Sequence, residues 1–221
     1  MVDEIIVELQ NVYHGSKRGE PVFQNLDLTL RAGQTAVVTG GAGSGKTCLA
    51  ALLVGTEFAD EGLVEVFGEV LRPRRNLAVN RIRRLIGGVG GIFELVPSMT
   101  VAENIVFPLV ITGIGRKERQ SKLLKMLTEF SLLKKAADYP NTLTRVERTL
   151  VQFARASIAN QPLLIVDEPA AGLDQSTAER VFEFLSRASL AGRSLLILCS
   201  EAPVHDLPQS DLYHIGNGAL T

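Results

Sequence analysis

An apolar, β-branched run from Thr35 to Thr39 leads straight into Gly40-Gly41-Ala42-Gly43-Ser44-Gly45-Lys46-Thr47. An apolar, helix-forming stretch follows through Leu52 to Val54. Strand, glycine-rich loop and helix in that order constrain the fold more than any other feature of the chain. A strand without alternation suits a central position in a sheet covered on both faces. Glycines let the loop turn its backbone N–H groups toward one point, and the next helix adds the positive end of its dipole there. The spacing is that of a P-loop, a cradle for phosphate. Lys46 is expected to reach the β and γ phosphates of a nucleotide, and Thr47 to ligate Mg²⁺. Cys48, directly after them, completes the expected nucleotide-binding run.

The rest of the chain alternates between strand and helix periodicity, the pattern of an α/β sheet. Ile5 to Leu9 and Val22 to Leu30 read as strands, and Gly62 to Val70 alternates in the same way. Leu163 to Val166 and Leu195 to Leu198 read as further buried strands. Ile86 to Phe93 is broken by glycines. Thr100, with Glu103 three residues on, predicts a capped helix start. Leu123, Leu124, Leu127 and Phe130 recur at helical spacing between Arg116 and Lys135. Pro140 and Asn141 break the chain before a helix over roughly Arg145 to Ala159, and Val181 to Leu190 predicts another. Gly216-Asn217-Gly218 is a hairpin-type turn. The stretch from about 95 to 160 therefore reads as a helical insertion into one domain, whose core is built from about 1–94 and 161–221.

Composition narrows the class. The 221 residues fit one large domain or two small ones against a typical ~150 residues per domain. With 46% apolar residues the chain can bury a core. A formal charge of −1, from 23 basic and 24 acidic residues, argues against a nucleic-acid partner. The most apolar run, Ile105 to Gly115, falls short of the ~18 residues of a membrane span. Asp3, Glu4 and Glu8 do not suit a targeting peptide. Cys48 and Cys199 suggest no disulfide framework and fit a reducing cytosol. Six arginines between Arg72 and Arg84 read first as a solvated face. Weak attraction to an anionic membrane surface is the alternative.

Leu163-Leu164-Ile165-Val166-Asp167-Glu168-Pro169 supplies the partner of the P-loop. Asp167, at the end of an apolar strand, is expected to hold the Mg²⁺ through water. Glu168 is positioned to orient or deprotonate an attacking water. At this point nearly the whole chain resembles the ATP-binding cassette (ABC) ATPases. Asp167-Glu168-Pro169 and Gly172-Leu173-Asp174 are similar to that family's Walker B motif and D-loop, and Gly216 to Leu220 to its closing hairpin. Met99 to Leu109 is most similar to the cell-division and lipoprotein-release type, whose ATPases bind separate membrane subunits, and somewhat similar to the lipid-trafficking type. The resemblance implies a RecA-like P-loop NTPase fold, with a mostly parallel sheet, an N-terminal antiparallel β subdomain and a helical insertion. It implies ATP and Mg²⁺, a homodimer or heterodimer of cassettes, and a membrane permease docking near Leu95 to Gly115. It places the chain on the cytoplasmic face of the cell membrane. Tyr13, with His14 behind it, is the candidate for stacking on adenine.

Three positions depart from the family pattern. The family's Gln after the fourth strand falls at Gly91, and no Gln occurs between Gln34 and Gln120. The signature Leu-Ser-Gly-Gly-Gln/Glu reads here Leu143-Thr144-Arg145-Val146-Glu147, with side chains where two glycines would let a helix end approach phosphate. Thr144 retains a hydroxyl. Arg145 is left with two readings, a phosphate contact or a solvated residue at the helix start. The switch histidine is expected at Ser200, with His205 as the rival position. Removing one transition-state donor typically costs on the order of 10²–10³ in rate, so these losses predict slow hydrolysis. The alternative is an ATP-binding regulatory subunit without significant turnover. A small-molecule kinase would account for the P-loop alone.

Overall fold

The computed structural model describes residues 4–15, 21–202, 207–208 and 210–221. The strands are β1 (Ile5–His14), β2 (Phe23–Arg31), β3 (Thr35–Thr39), β4 (Glu61–Val66) and β5 (Glu69–Val70), followed by β6 (Ile86–Val89), β7 (Leu163–Asp167), β8 (Ser194–Cys199), β9 (Ser210–Gly216) and β10 (Ala219–Leu220). The helices are α1 (Lys46–Leu53), α2 (Asn76–Arg83), α3 (Val101–Ile111), α4 (Arg116–Glu129), α5 (Arg145–Ser157) and α6 (Gln175–Leu190). An antiparallel sheet runs β2-β1-β4-β5, and a second sheet runs β10-β9-β3-β8-β7-β6. In the second sheet β9, β3, β8, β7 and β6 are parallel, and β10 returns antiparallel to β9.

Strands β3, β7 and β8 are buried at every position, which is why their sequences do not alternate. Their side chains still divide between two cores. Leu163, Ile165, Leu196 and Leu198 pack with α1 and the antiparallel sheet. Leu164, Val166, Leu195 and Ile197 face the opposite side, with α3, α5 and α6. The second core centres on Phe130, Phe153 and Phe184, whose ring centroids lie 5.4–6.4 Å apart.

Several boundaries differ from expectation for local reasons. β1 continues to His14 through a bulge, with Asn11 at φ 47° and a register shift between Gln10 and Tyr13. The run from Gly62 to Val70 is a hairpin, because Phe67 and Gly68, at φ 50° and 73°, turn the chain between β4 and β5. α6 starts six residues before Val181, since Asp174 caps it by accepting from Thr177 N (3.1 Å). Hydrogen bonds from Ser176 and Thr177 hold the Asp174 carboxyl down at about 2. All six residues of the arginine cluster are exposed, as a solvated face requires, and Arg81 pairs with Glu69. The cluster contains α2, and Arg83 donates to Val54 O (2.8 Å) and Gly55 O (3.0 Å) at the C-terminal end of α1, where a cation suits the helix dipole. The Thr100–Glu103 capping box forms as the spacing suggests. The closing turn has Asn217 and Gly218 at φ 50° and 79°. Among the described residues no helix is long and apolar enough to cross a membrane. His205 lies outside the described residues.

Candidate functional site

The site forms where three parallel strands end together. Thr39 pairs with Cys199, and Asp167 with Leu198, so β3, β8 and β7 deliver their following residues to one edge of the sheet. Gly40 N–H donates to Cys199 O (3.2 Å), and the loop then turns through Gly43 and Gly45 at φ 79° and 101°. A Cβ on Gly45 would lie 2.7 Å from the Phe23 ring, so this glycine also lets the loop seat against the start of β2. Lys46 is only 7% exposed although it opens α1. Its ammonium donates to Gly40 O (2.6 Å) and Gly41 O (3.1 Å) and lies 3.7 Å from Glu168 Oε1. Ser44 Oγ is buried and makes no hydrogen bond among the described residues, a donor left for a ligand.

Thr47 Oγ1 donates to Asp167 Oδ2 at 2.8 Å. Burial pushes the Asp167 carboxyl above its ordinary value. The Glu168 charge adds to that, while Thr47 and Lys46 oppose it. A hydroxyl and a carboxylate in contact form a hard-oxygen donor pair, the kind that suits Mg²⁺. Glu168 sits at φ 54°, a left-handed conformation unusual for a side-chain-bearing residue, with its N–H donating to Leu198 O (2.7 Å). Its Oε1 accepts from Ser200 Oγ at 2.5 Å. Ser200 therefore touches the carboxylate next to the P-loop lysine.

Gly91 meets the Asp167 carboxylate, on the other side from Thr47. At φ 44°, a Cβ on Gly91 would lie 2.2 Å from Asp167 Oδ2. One on Gly90 would lie 2.0 Å from Asp167 O. The backbone of this loop is drawn onto Asp167 too closely for any side chain to fit in place. A glutamine does serve the loop, but from α5: Gln152 Oε1 accepts from Gly90 N–H (3.1 Å) and its amide donates to Phe93 O (3.0 Å). Arg155 adds hydrogen bonds to Phe93 O (2.6 Å) and Glu94 O (2.8 Å), its pKa lowered to about 10 by burial. Sequence reasoning missed both residues. Their only signal is polarity on a helix beside buried Val151, Phe153 and Ala154. Gln152→Ala is expected to loosen this loop and cost about 1 kcal/mol, read from the denaturation midpoint.

Thr144 caps α5 by accepting from Glu147 N–H (3.2 Å), while Glu147 Oε2 accepts from Thr144 N–H (2.8 Å). The threonine hydroxyl is thus engaged by its own helix. The Arg145 guanidinium lies against Gly172, where a Cβ would stand 3.2 Å from it. Val146 follows on the first turn of α5. An open cleft of about 880 Å³ runs between the P-loop and the α5 wall of Arg145, Arg148, Thr149 and Gln152. Ala42 and Cys48 also line it. Tyr13, 41% exposed on β1, is not among the lining residues, whereas Val22 is. His14 turns instead toward Glu57.

Comparison with known proteins follows the same lines. The family model described as ABC transporter matches residues 23–171. A lipoprotein-releasing system ATP-binding protein, LolD of Ruegeria sp. (strain TM1040), is 35% identical over 86% of this chain and 85% of its own length. The cell division ATP-binding protein FtsE of Streptococcus pneumoniae serotype 2 is 26% identical over 97% of this chain and 94% of its own. In structure, the dimeric post-hydrolysis state of the ATP-binding cassette MJ0796, bound to ADP and Pi, superposes with a TM-score of 0.84. It is 26% identical and covers 97% of this chain and 96% of that one. By sequence and by architecture, the chain belongs to the ABC transporter family and is folded as an ATP-binding cassette.

Proposed function

We propose that this chain is the ATP-binding subunit of a transport or envelope-remodelling complex, coupling ATP binding and slow hydrolysis to a separate membrane subunit. The observation that carries the reading is the meeting of Lys46, the Thr47–Asp167 pair and Glu168 at one sheet edge. Thr47, and Asp167 through water, would hold Mg²⁺, which on binding supplies charge stabilisation for phosphoryl transfer. Lys46 neutralises phosphate charge, and Glu168 accepts a proton from the attacking water. Slow turnover follows from what surrounds them. Arg145 and Val146 replace glycines at the start of α5, Ser200 offers a hydroxyl rather than an imidazole, and Gly91 has no side chain.

The names of the relatives support the coupling. LolD is a lipoprotein-releasing ATP-binding protein and FtsE a cell division ATP-binding protein. The membrane subunit would dock near Leu95 to Gly115 at the cytoplasmic face of the membrane. There Val110 and Ile111 are each 46% exposed at the end of α3. Buried Asn104 holds the preceding turn through Val96, Met99 and Thr100. The dimeric neighbour supports a working unit of two cassettes, whether identical or paired with a different one. A second reading, ATP binding without useful turnover, draws on the Ser200–Glu168 hydrogen bond, which occupies one oxygen of the expected base.

Turnover of the purified chain, alone and with its membrane subunit, measured beside Glu168→Gln, separates the two. The motor reading expects turnover to fall by at least about tenfold in the variant while ATP binding persists. Tight ATP binding with turnover equal to that of Glu168→Gln sinks it.

A further inference from the structure

Behind the first turn of α1, three side chains of different chemistry converge. β1 ends at His14, α1 contributes Cys48, and the loop after α1 contributes Glu57. Glu57 Oε2 lies 2.9 Å from His14 Nε2 and 3.3 Å from Cys48 Sγ. All three ligand atoms lie within 4.8 Å of one another. Around a tetrahedral zinc with bonds of about 2.0–2.3 Å, ligand atoms stand about 3.3–3.6 Å apart, within a few tenths of an ångström of the two spacings that Glu57 makes. The other ring nitrogen adds an independent sign. His14 Nδ1 is buried and makes no hydrogen bond among the described residues, and Asp60 Oδ2 stands 3.7 Å from it. A carboxylate behind a histidine is the usual outer partner of a metal-bound imidazole. The scaffold is firm: Asp60 N–H donates to Tyr13 O (2.9 Å), and Gly15 N–H to Asp60 Oδ2 (3.0 Å).

We propose that His14, Cys48 and Glu57 bind a zinc-class divalent cation, with Asp60 orienting His14 and the fourth position open to water. Thiolate and imidazole ligands favour Zn²⁺ or Co²⁺ over Mg²⁺, so this cation differs in kind from the one expected at Thr47 and Asp167. Without it, Cys48 Sγ donates to Glu57 Oε2, which also lies within hydrogen-bond distance of His14 Nε2. Binding removes the thiol proton to solvent. Ligation through Nε2 keeps the imidazole proton on Nδ1, the nitrogen that faces Asp60, so a thiol and a neutral imidazole release one proton per cation. The ligation uses the Cys48 side chain and leaves its backbone N–H to the P-loop. A bound cation would tie β1 and the 56–60 loop to the helix that carries Thr47.

The test uses the full chain, nucleotide-free and stripped with a chelator, titrated with Co²⁺ and then Zn²⁺. The expected result is one Co²⁺ per chain, with a thiolate-to-cobalt charge-transfer band and tetrahedral visible bands that Zn²⁺ abolishes. One proton per Zn²⁺ should be released in weak buffer, and Zn²⁺ should raise the thermal midpoint in a way EDTA reverses. Cys48→Ser should lose the charge-transfer band, and His14→Gln should weaken binding by more than about tenfold. Cys199→Ser should keep both properties. Circular dichroism checks that each variant is folded, and His14→Gln carries the test if Cys48→Ser is not. An octahedral cobalt spectrum without a charge-transfer band would overturn the proposal, as would equal binding in wild type and the folded variants.

Discussion

Replacing Lys46 with alanine is expected to abolish measurable turnover and to weaken ATP binding at least about tenfold. Removing one such transition-state donor costs on the order of 10²–10³ in rate. The structure adds a second loss. The ammonium is buried and bridges Gly40 O and Gly41 O, so it holds the loop in shape before any phosphate arrives. Truncation leaves two carbonyls without their partner, at about 1–3 kcal/mol for each that stays dry. Lys46→Arg should fail nearly as badly, because a planar fork cannot replace a compact ammonium folded back on the loop. Calorimetric titration with Mg·ATP and a phosphate-release assay check both variants. Unchanged affinity in Lys46→Ala would remove this residue from the site.

Installing glutamine at position 91, the residue of the family pattern, is expected to harm the protein rather than repair it. The backbone there is left-handed, and a Cβ would stand 2.2 Å from Asp167 Oδ2. Either the loop moves away, breaking the Gly90–Gln152 hydrogen bond, or Asp167 leaves Thr47. Strain of this kind costs about 1–3 kcal/mol. Gly91→Gln and Gly91→Ala should therefore show a similar drop in denaturation midpoint, and both should need more Mg²⁺ for ATP binding. A Gly91→Gln chain as stable as wild type and faster in turnover would mean that the loop accommodates the side chain after all.

These two positions show what can be read from residue order. The P-loop and the Asp167-Glu168 pair are legible because their chemistry lies in contiguous residues at the ends of apolar strands. Ser200 was reachable by counting, and the β7–β8 register, with Asp167 opposite Leu198, brings its hydroxyl to Glu168. Gln152 and Arg155 were not legible, since their role exists only once α5 packs against the 90–94 loop. α2 was hidden by its arginines, although Ala78, Val79 and Ile82 are buried and share one helical face. The pairing of His14 with Glu57 joins residues 43 apart in the chain, which no local pattern announces. Gly91 illustrates the converse. The missing glutamine was visible in the sequence, but the close approach of backbone to Asp167 was not.

A nucleotide arriving at the cleft between the P-loop and α5 meets a surface of balanced charge. Among the described lining residues, Lys46, Arg145 and Arg148 are balanced by Glu94, Asp167 and Glu168. Equal numbers of opposite formal charges project little net field beyond a Debye length of about 8 Å at physiological ionic strength. Long-range electrostatic steering therefore contributes little to capture, and a nucleotide finds the P-loop by ordinary diffusion. Selectivity for phosphate rests on short-range amide and ammonium contacts at the loop itself, so association should depend only weakly on salt.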